Sequence, residues 1–268
     1  MGNSVGEVVR WGALICGSAL LMFEAQGQQP TVEGIAAGKT RVVDLSYPIS
    51  DKMVAWPGDS KAFEAKSNAT VEKEGYFTRS FWMLEHYGTH MDAPAHFPPG
   101  TTTVDKIAPE RFFGPAVVLD VSKEADRDPD YQLSAKDVSA WEQKHGNIPT
   151  GAIVVLRTGW SKRWPDIARY RNQDVNGKMH FPGFSVESAK FLLERKVYGL
   201  GCDTLSIDPG NSADFPVHHL VLGAGMYQLE NLADLSELPE AGAWLITAPI
   251  KLAGGSGGAV RVFALVGK

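Results

Sequence analysis

Residues 86–97, with the sequence His-Tyr-Gly-Thr-His-Met-Asp-Ala-Pro-Ala-His-Phe, restrict this chain more than any other stretch. Seven histidines spread evenly over 268 residues would put fewer than one in a window of eleven, whereas residues 86–96 contain three, together with an aspartate. Neutral imidazole and carboxylate bind zinc, manganese or iron, and the same groups transfer protons. A single histidine here would be interpreted as a buried polar residue bonded to backbone. Four such groups together predict a metal or catalytic site: His86, His90, Asp92 and His96.

The backbone of this cluster is predicted to be a strand end followed by a turn. A glycine and three prolines within the next dozen residues argue against a helix. The aromatic-rich run 76–85 predicts a strand, and His86 follows directly at its end. In extended chain beyond the turn, His90 and Asp92 share a face because side chains alternate with period two. His96 then lies on the far side of the loop, where it can face the same centre.

A second group of candidate ligands lies much further along the chain. His218 and His219 are adjacent, and the run 226–230 predicts a short strand that ends in the carboxylate of Glu230. A histidine and a glutamate from this segment would complete the site that the first cluster begins. Taken alone, Glu230 is more typical of a surface residue.

Trp56 is the candidate for contact with a substrate. It stands in a predicted loop, at the start of Trp56-Pro57-Gly58-Asp59. A loop tryptophan either covers the core or stacks on an aromatic ligand, because its ring offers a large contact area for few frozen torsions. The residues alone leave both interpretations open.

The remaining pattern predicts one α/β domain over residues 28–268. Helices are predicted to begin at Ser134 and Ser185, each between apolar runs. Two strand–helix–strand passes favour a mixed, part-parallel sheet with flanking helices. The charged and aromatic stretch 160–180 is predicted to be a solvated surface excursion, with a lid as the alternative. The apolar runs interpreted as buried strands are 115–121, 151–156 and 197–202.

Residues 1–27 have the features of a secretory signal peptide. Arg10 precedes the apolar run 11–23, and small residues follow at Ala25 and Gly27. The run is shorter than the roughly 20 residues that a membrane-spanning helix needs. An uncleaved anchor or a disordered tail is the alternative. Cleavage would place the protein in the periplasm or outside the cell, and without it the protein would be cytoplasmic. The net charge of −5, without a basic block, argues against nucleic acid as a partner.

Over residues 41–268 the chain resembles the cyclase family of metal-dependent hydrolases, which includes bacterial kynurenine formamidases and isatin hydrolases. The family motif H-x-G-T-H-x-D-x-P-x-H-F is present in full at residues 86–97. The weaker matches are Trp56-Pro-Gly-Asp59, residues 201–208, the spacing from His218 to Glu230, and the glycine-rich loop 254–258 followed by Arg261, which is expected to point at the site.

The resemblance implies a role for each residue of the site. His96 would transfer the proton, Trp56 would contact an aromatic substrate, and Asp92 would bridge two metal ions. It also implies a swivelling β/β/α domain that assembles as a homo-oligomer, a dimer or a tetramer. One or two ions of Zn²⁺ or Mn²⁺ are expected, because the isatin hydrolase branch resembles a single-manganese site. The implied metal ligands are His86, His90, Asp92, His218 and Glu230.

These observations predict a metal-dependent hydrolase that acts on non-peptide C–N bonds. The first hypothesis is cleavage of an aryl formamide such as N-formylkynurenine, a reaction of tryptophan catabolism, by metal-activated water. An alternative is the opening of a cyclic amide, as in isatin hydrolases. A non-catalytic exported protein that binds a metal or an aromatic ligand is a rival from another class, and a lyase or dehydratase on the same scaffold is a third.

Overall fold

A computed structural model describes residues 1–2, 29–59 and 61–268. The predicted signal peptide therefore lies, beyond its first two residues, outside the described part of the chain. The strands are β1 Thr40–Asp44, β2 Phe63–Ala69, β3 Thr78–Met83, β4 His90–Asp92, β5 Phe113–Asp120, β6 Gln132–Leu133, β7 Ile153–Arg157, β8 Gly183–Phe184, β9 Gly199–Cys202, β10 Tyr227–Glu230, β11 Trp244–Pro249 and β12 Gly257–Gly267. The α-helices are α1 Val32–Ala36, α2 Val71–Glu74, α3 Ser122–Arg127, α4 Ala135–His145, α5 Ile167–Arg171, α6 Val186–Glu194 and α7 Pro216–Gly223. Short 3₁₀ turns lie at Pro94–His96, Val104–Lys106, Pro109–Phe112 and Trp160–Arg163.

Seven of these strands close into a mixed barrel. Their order is β12-β11-β5-β7-β9-β10-β4, and β4 pairs again with β12. The pairs β5–β7, β7–β9 and β9–β10 are parallel, whereas the four pairs that complete the ring are antiparallel. The long strand β12 pairs with β4 through its first residues and with β1 through its last, so that β1 extends the wall as an eighth strand.

Side chains of the barrel strands alternate between two cores. Along β5 and β7, Val118 and Val155 belong to the inner core, whereas Val117 and Val154 pack under the helices. Helices α4, α6 and α7 cover this outer layer with residues such as Trp141. Both faces of the parallel strands are thus buried, which explains why their sequences are apolar without alternation.

Strands β2 and β3 form a separate antiparallel hairpin that protrudes from the barrel. Most of its residues are exposed on both faces. At its base, Phe63, Met83 and Leu84 pack on a small cluster around Met53 and Tyr87. The chain runs from this hairpin directly into the histidine-rich segment.

The α/β class and the mixed, part-parallel sheet with flanking helices are confirmed, while the swivelling β/β/α description stays a prediction. The solvated surface excursion predicted at 160–180 holds for most of the stretch, which is exposed, but not for three of its residues. Trp160, Tyr170 and Met179 are buried, because they form an apolar cluster with Phe181 that supports the loop of Trp56. Arg261 does not point at the site either, because its guanidinium bonds to Asp44 on the surface.

Among the described residues, no helix is both long enough and apolar enough to cross a bilayer.

Candidate active site

Two predicted ligands lie on β4, where the extended backbone places them on one face. His90 and Asp92 are both almost fully buried, and His90 Nε2 lies 3.2 Å from Asp92 Oδ1. Strand β10 runs beside β4, and its register places Glu230 directly opposite His90. The Glu230 Oε2 to His90 Nε2 distance is 3.5 Å. Cross-strand neighbours on one face have Cβ atoms roughly 5 Å apart, so the pairing of β4 with β10 assembles this part of the site.

Helix α7 brings in His218 from outside the barrel wall. Its Nε2 lies 3.2 Å from Glu230 Oε1 and 3.5 Å from Asp92 Oδ2. The ring is oriented by the buried carboxylate of Asp208, which accepts a bond from Nδ1 at 2.6 Å. Asp208 also accepts the first backbone N–H groups of α7, from Val217 at 2.9 Å and His218 at 3.0 Å. One carboxylate therefore caps the helix and aims the imidazole.

His86 approaches from the bend that follows the hairpin. Its Nδ1 lies 2.7 Å from Asp92 Oδ1, and its Nε2 lies 2.8 Å from the hydroxyl of Ser256. Ser256 in turn donates to the carboxylate of Glu85 at 2.7 Å. The position beside it must be glycine, since a Cβ on Gly257 would lie 2.6 Å from the His86 ring. The glycine-rich loop therefore makes room for the imidazole.

His96 completes the cluster from the 3₁₀ turn at Pro94–His96. Its ring stacks on that of His86, with centroids 3.8 Å apart. Burial lowers the pKa of His96 to about 4, and the neighbouring imidazoles add to this effect. The negative charge of Asp92 acts in the opposite direction but does not outweigh them. The ring is therefore neutral near pH 7.

The field inside the site favours positive charge. Burial alone would lower the pKa of His90, but bonds to Asp92 and the charge of Glu230 outweigh it and raise that pKa to about 9. The pKa of His218 is likewise raised well above its ordinary value, because bonds to three carboxylates outweigh burial. Buried carboxylates thus hold protons on His90 and His218, and a bound cation would satisfy the charges of Asp92 and Glu230.

A cavity of about 270 Å³ opens over these groups. Its walls include the rings of Trp56, Phe97 and Phe215, and the polar groups of the site lie on one side. Ligand pockets typically combine apolar walls with a few placed polar groups, and this one is at the small end of their range. It suits a small, flat ligand.

The residues fit a divalent cation. One set of possible ligand atoms, from His90, Asp92 and Glu230, lies within 4.8 Å of one another, and a second set combines His86, Asp92 and His96. Oδ2 of Asp92 is buried without a hydrogen-bond partner in the described residues, which is costly unless another group satisfies it. Imidazole and carboxylate are also the donors that zinc and manganese share. Fold and site together define an α/β-barrel protein with a cation-type centre beneath an aromatic cavity.

Comparison with known proteins assigns the family. A family model described as "Putative cyclase" matches residues 43–209. Isatin hydrolase from Roseibium aggregatum is 35% identical over 260 residues, which cover 90% of this chain and 98% of that protein. Kynurenine formamidase from Bacillus cytotoxicus is 28% identical over 223 residues, with 82% of this chain and 94% of that protein covered. The chain therefore belongs to the cyclase family.

Solved structures agree with this assignment. The crystal structure of an isatin hydrolase bound to the product analogue thioisatinate superposes with a TM-score of 0.83. It is 33% identical in sequence, and the match covers 88% of this chain and 96% of that one.

The structure brings the predicted site residues together. The five predicted ligands, His96 and Trp56 all lie at or beside one cavity, although their roles stay predictions. Sequence analysis missed Asp208, Ser256 and Phe215, which orient or enclose the predicted residues. Asp208 follows β9 at the end of the matched stretch 201–208, and this position beyond a parallel strand was a usable signal.

Proposed function

We propose that this protein is a metal-dependent hydrolase that opens the C–N bond of a small aromatic amide. The observation that carries the proposal is the convergence of four imidazoles and two buried carboxylates beneath a cavity walled by aromatic rings. A site that binds a cation and keeps room for water and a substrate is typical of catalysis rather than of a structural metal.

Different side chains would bind the cation and orient its ligands. His90, Asp92 and Glu230, with His218 and His86 beside them, would hold one or two ions of Zn²⁺ or Mn²⁺. When bound, the cation lowers the pKa of a water molecule and polarises a carbonyl. Asp208 and the Gly88 carbonyl accept from Nδ1 of His218 and His90, at 2.6 and 2.8 Å, so that each Nε2 faces the carboxylates.

His96 is the candidate for proton transfer. Its neutral ring can accept a proton from the attacking water at a ring nitrogen and return it to the leaving nitrogen. The ring stacks on His86 and lines the cavity where a substrate would bind.

The walls of the cavity would orient the substrate. Trp56 is tilted against Phe215, with ring centroids 5.8 Å apart, and Phe97 packs on the same ring. Aromatic walls of this kind favour contact with an aromatic ligand.

A cyclic amide of the isatin type is the substrate that we propose first. The sequence hypothesis placed an aryl formamide first. The greater identity to isatin hydrolase, 35% against 28%, and its fuller coverage of this chain favour the reverse order. An aryl formamide such as N-formylkynurenine stays the second candidate, because the same site could hydrolyse the amide carbonyl of either substrate.

Metal removal tests the proposal. The purified protein is dialysed against a chelator and assayed on isatin and N-formylkynurenine, before and after addition of Mn²⁺ or Zn²⁺. We expect loss of hydrolysis and its recovery with one of the ions, with a product heavier than the substrate by one water. Activity that is indifferent to chelation would reject the proposal, and a product without added water would favour a lyase.

The exposed hairpin supports a homo-oligomer. Four of its aromatic side chains are more than half exposed: Tyr76, Phe77, Phe81 and Trp82. A two-stranded hairpin is marginally stable by itself, and exposed apolar patches mark interaction surfaces. We propose that a second copy of the chain covers this hairpin.

Export after cleavage of residues 1–27 is proposed on the sequence alone, and the mass of the mature N-terminus would test it.

A further inference from the structure

Gln228 is a buried amide whose role the proposed mechanism does not explain. Its side chain has no solvent exposure, and neither Nε2 nor Oε1 has a hydrogen-bond partner among the described residues. Buried polar groups are almost always hydrogen-bonded, since burying an unpaired amide costs free energy. A glutamine that only filled space here would be less favourable than a leucine of similar size.

Its position in the barrel places this amide beside the site. Gln228 lies on β10, two residues before Glu230, and its register partner across the antiparallel ladder is Asp92. Tyr227 and Leu229 belong to the inner core, so Gln228 and Glu230 are on the opposite face, which α7 covers. Directly opposed residues have Cβ atoms roughly 5 Å apart, which brings the amide within reach of the carboxylate.

The two side chains complement each other chemically. Oδ1 of Asp92 already lies 2.7 Å from His86 and 3.2 Å from His90, whereas Oδ2 is buried 3.5 Å from His218 Nε2 and accepts no hydrogen bond from the described residues. Gln228 offers two N–H donors and has none of them engaged. The register therefore sets a donor without a hydrogen bond opposite an acceptor without one.

We propose that Gln228 is a positioning residue for Asp92. Its Nε2 donates to Oδ2 when a cation occupies the site, and this bond fixes the rotation of the carboxylate between His90 and His218. The inference rests on the proposed function, because it assigns Asp92 to cation binding. It adds an uncharged residue that supports the ligand shell without touching the substrate.

The test compares Gln228→Leu and Gln228→Met with the wild type and with a matched control. Thr247→Val removes another fully buried polar group, one that lies 3.2 Å from the Tyr227 hydroxyl and does not line the cavity. Three quantities are measured for each protein: Mn²⁺ affinity by titration, the visible spectrum of the Co²⁺-loaded protein, and thermal unfolding without metal. None of these readouts depends on the identity of the substrate.

We expect both Gln228 variants to lose about tenfold in Mn²⁺ affinity and to alter the Co²⁺ spectrum, as partners of metal ligands commonly do. Their metal-free unfolding temperature should stay level or rise, because an unpaired amide has been removed. Thr247→Val should leave both metal readouts unchanged. Wild-type affinity and spectrum in both Gln228 variants would overturn the role of Gln228 while leaving the proposed function intact. A wild-type protein that binds neither ion would overturn both.

Discussion

The substitution Asp208→Asn tests how the site is held together. It keeps the shape of the side chain, removes its negative charge and replaces one acceptor oxygen by an NH₂ donor. Asp208 is fully buried and accepts three bonds: from the Val217 backbone at 2.9 Å, the His218 backbone at 3.0 Å and His218 Nδ1 at 2.6 Å. An asparagine keeps one acceptor oxygen and presents an NH₂ group on the other side. Either orientation of the amide leaves a backbone N–H without its acceptor: with the oxygen toward His218, the Val217 N–H faces the NH₂ group, and with the oxygen toward Val217, both donors of His218 face it. In the second orientation the NH₂ group also finds an acceptor.

The imidazole can relieve this conflict, but the backbone cannot. His218 can carry its proton on Nε2 and accept from the amide at Nδ1, which leaves its backbone N–H unpaired. A buried donor without a partner costs about 1–3 kcal/mol, so we expect the free energy of unfolding to fall by that amount. The proton then occupies Nε2, which faces Asp92 and Glu230. We therefore expect a loss of about 10–100-fold in cation affinity.

Chemical denaturation and Mn²⁺ titration measure the two effects separately. Asp137→Asn is the matched control, since Asp137 also accepts three bonds at the start of a helix, two from Ser134 and one from Tyr131. It should lose less stability than Asp208→Asn, because all three donors reach Oδ2 and the asparagine oxygen can take that place, and it should keep its cation affinity. If Asp208→Asn binds Mn²⁺ as tightly as the control, the account of how His218 is oriented is refuted.

Four further predictions follow from the same geometry. His96→Ala should lose at least about 100-fold in kcat while its Mn²⁺ titration matches the wild type; equal loss of binding would make His96 a ligand instead. Trp56→Ala should raise KM for an aromatic amide with a smaller effect on kcat, measured by steady-state kinetics; an unchanged KM would remove Trp56 from the substrate site. Phe81→Glu should shift the protein to a smaller species in light scattering, whereas Glu64→Gln on the same hairpin should not; an unchanged mass would exclude the hairpin as the interface. Asp203→Asn should gain stability over the wild type at pH 8 relative to about pH 4, near the unfolded-state pKa of an aspartate, measured by denaturation. Burial raises the pKa of this carboxyl, so the wild type loses stability as pH rises through that pKa; an equal effect at both pH values would contradict this.

Local sequence signals located much of the fold. The predicted helix start at Ser134 is a capping box with Asp137, and Gly146 follows its last residue. The three apolar runs predicted as buried strands correspond to β5, β7 and β9. A continuous apolar run is a good signal there, because parallel strands are buried on both faces and show no polar alternation. The motif at 86–97 located half of the site, since its residues are close in sequence as well as in space.

Features that depend on distant partners were not predictable. Closure of the barrel requires β4 to pair with both β10 and β12, and no local pattern encodes that contact. Helix α7 was missed because it starts at Phe215 in a left-handed conformation, and its cap comes from Asp208 instead of a neighbouring Ser or Asp. The surface prediction for 160–180 missed the buried Trp160, Tyr170 and Met179, because these residues are spaced irregularly and pack near the loop of Trp56.

At three residues, β4 is the shortest strand of the ring, and it is also the strand that carries His90 and Asp92. The barrel is therefore joined along a seam whose backbone hydrogen bonds are few and whose facing side chains include two acidic groups. An ion held by residues of β4, β10 and α7 would strengthen the pairing of these elements. Without the ion, only protons on His90 and His218 would offset the charge of these carboxylates, so the same few atoms would affect both the activity and the closure of the ring.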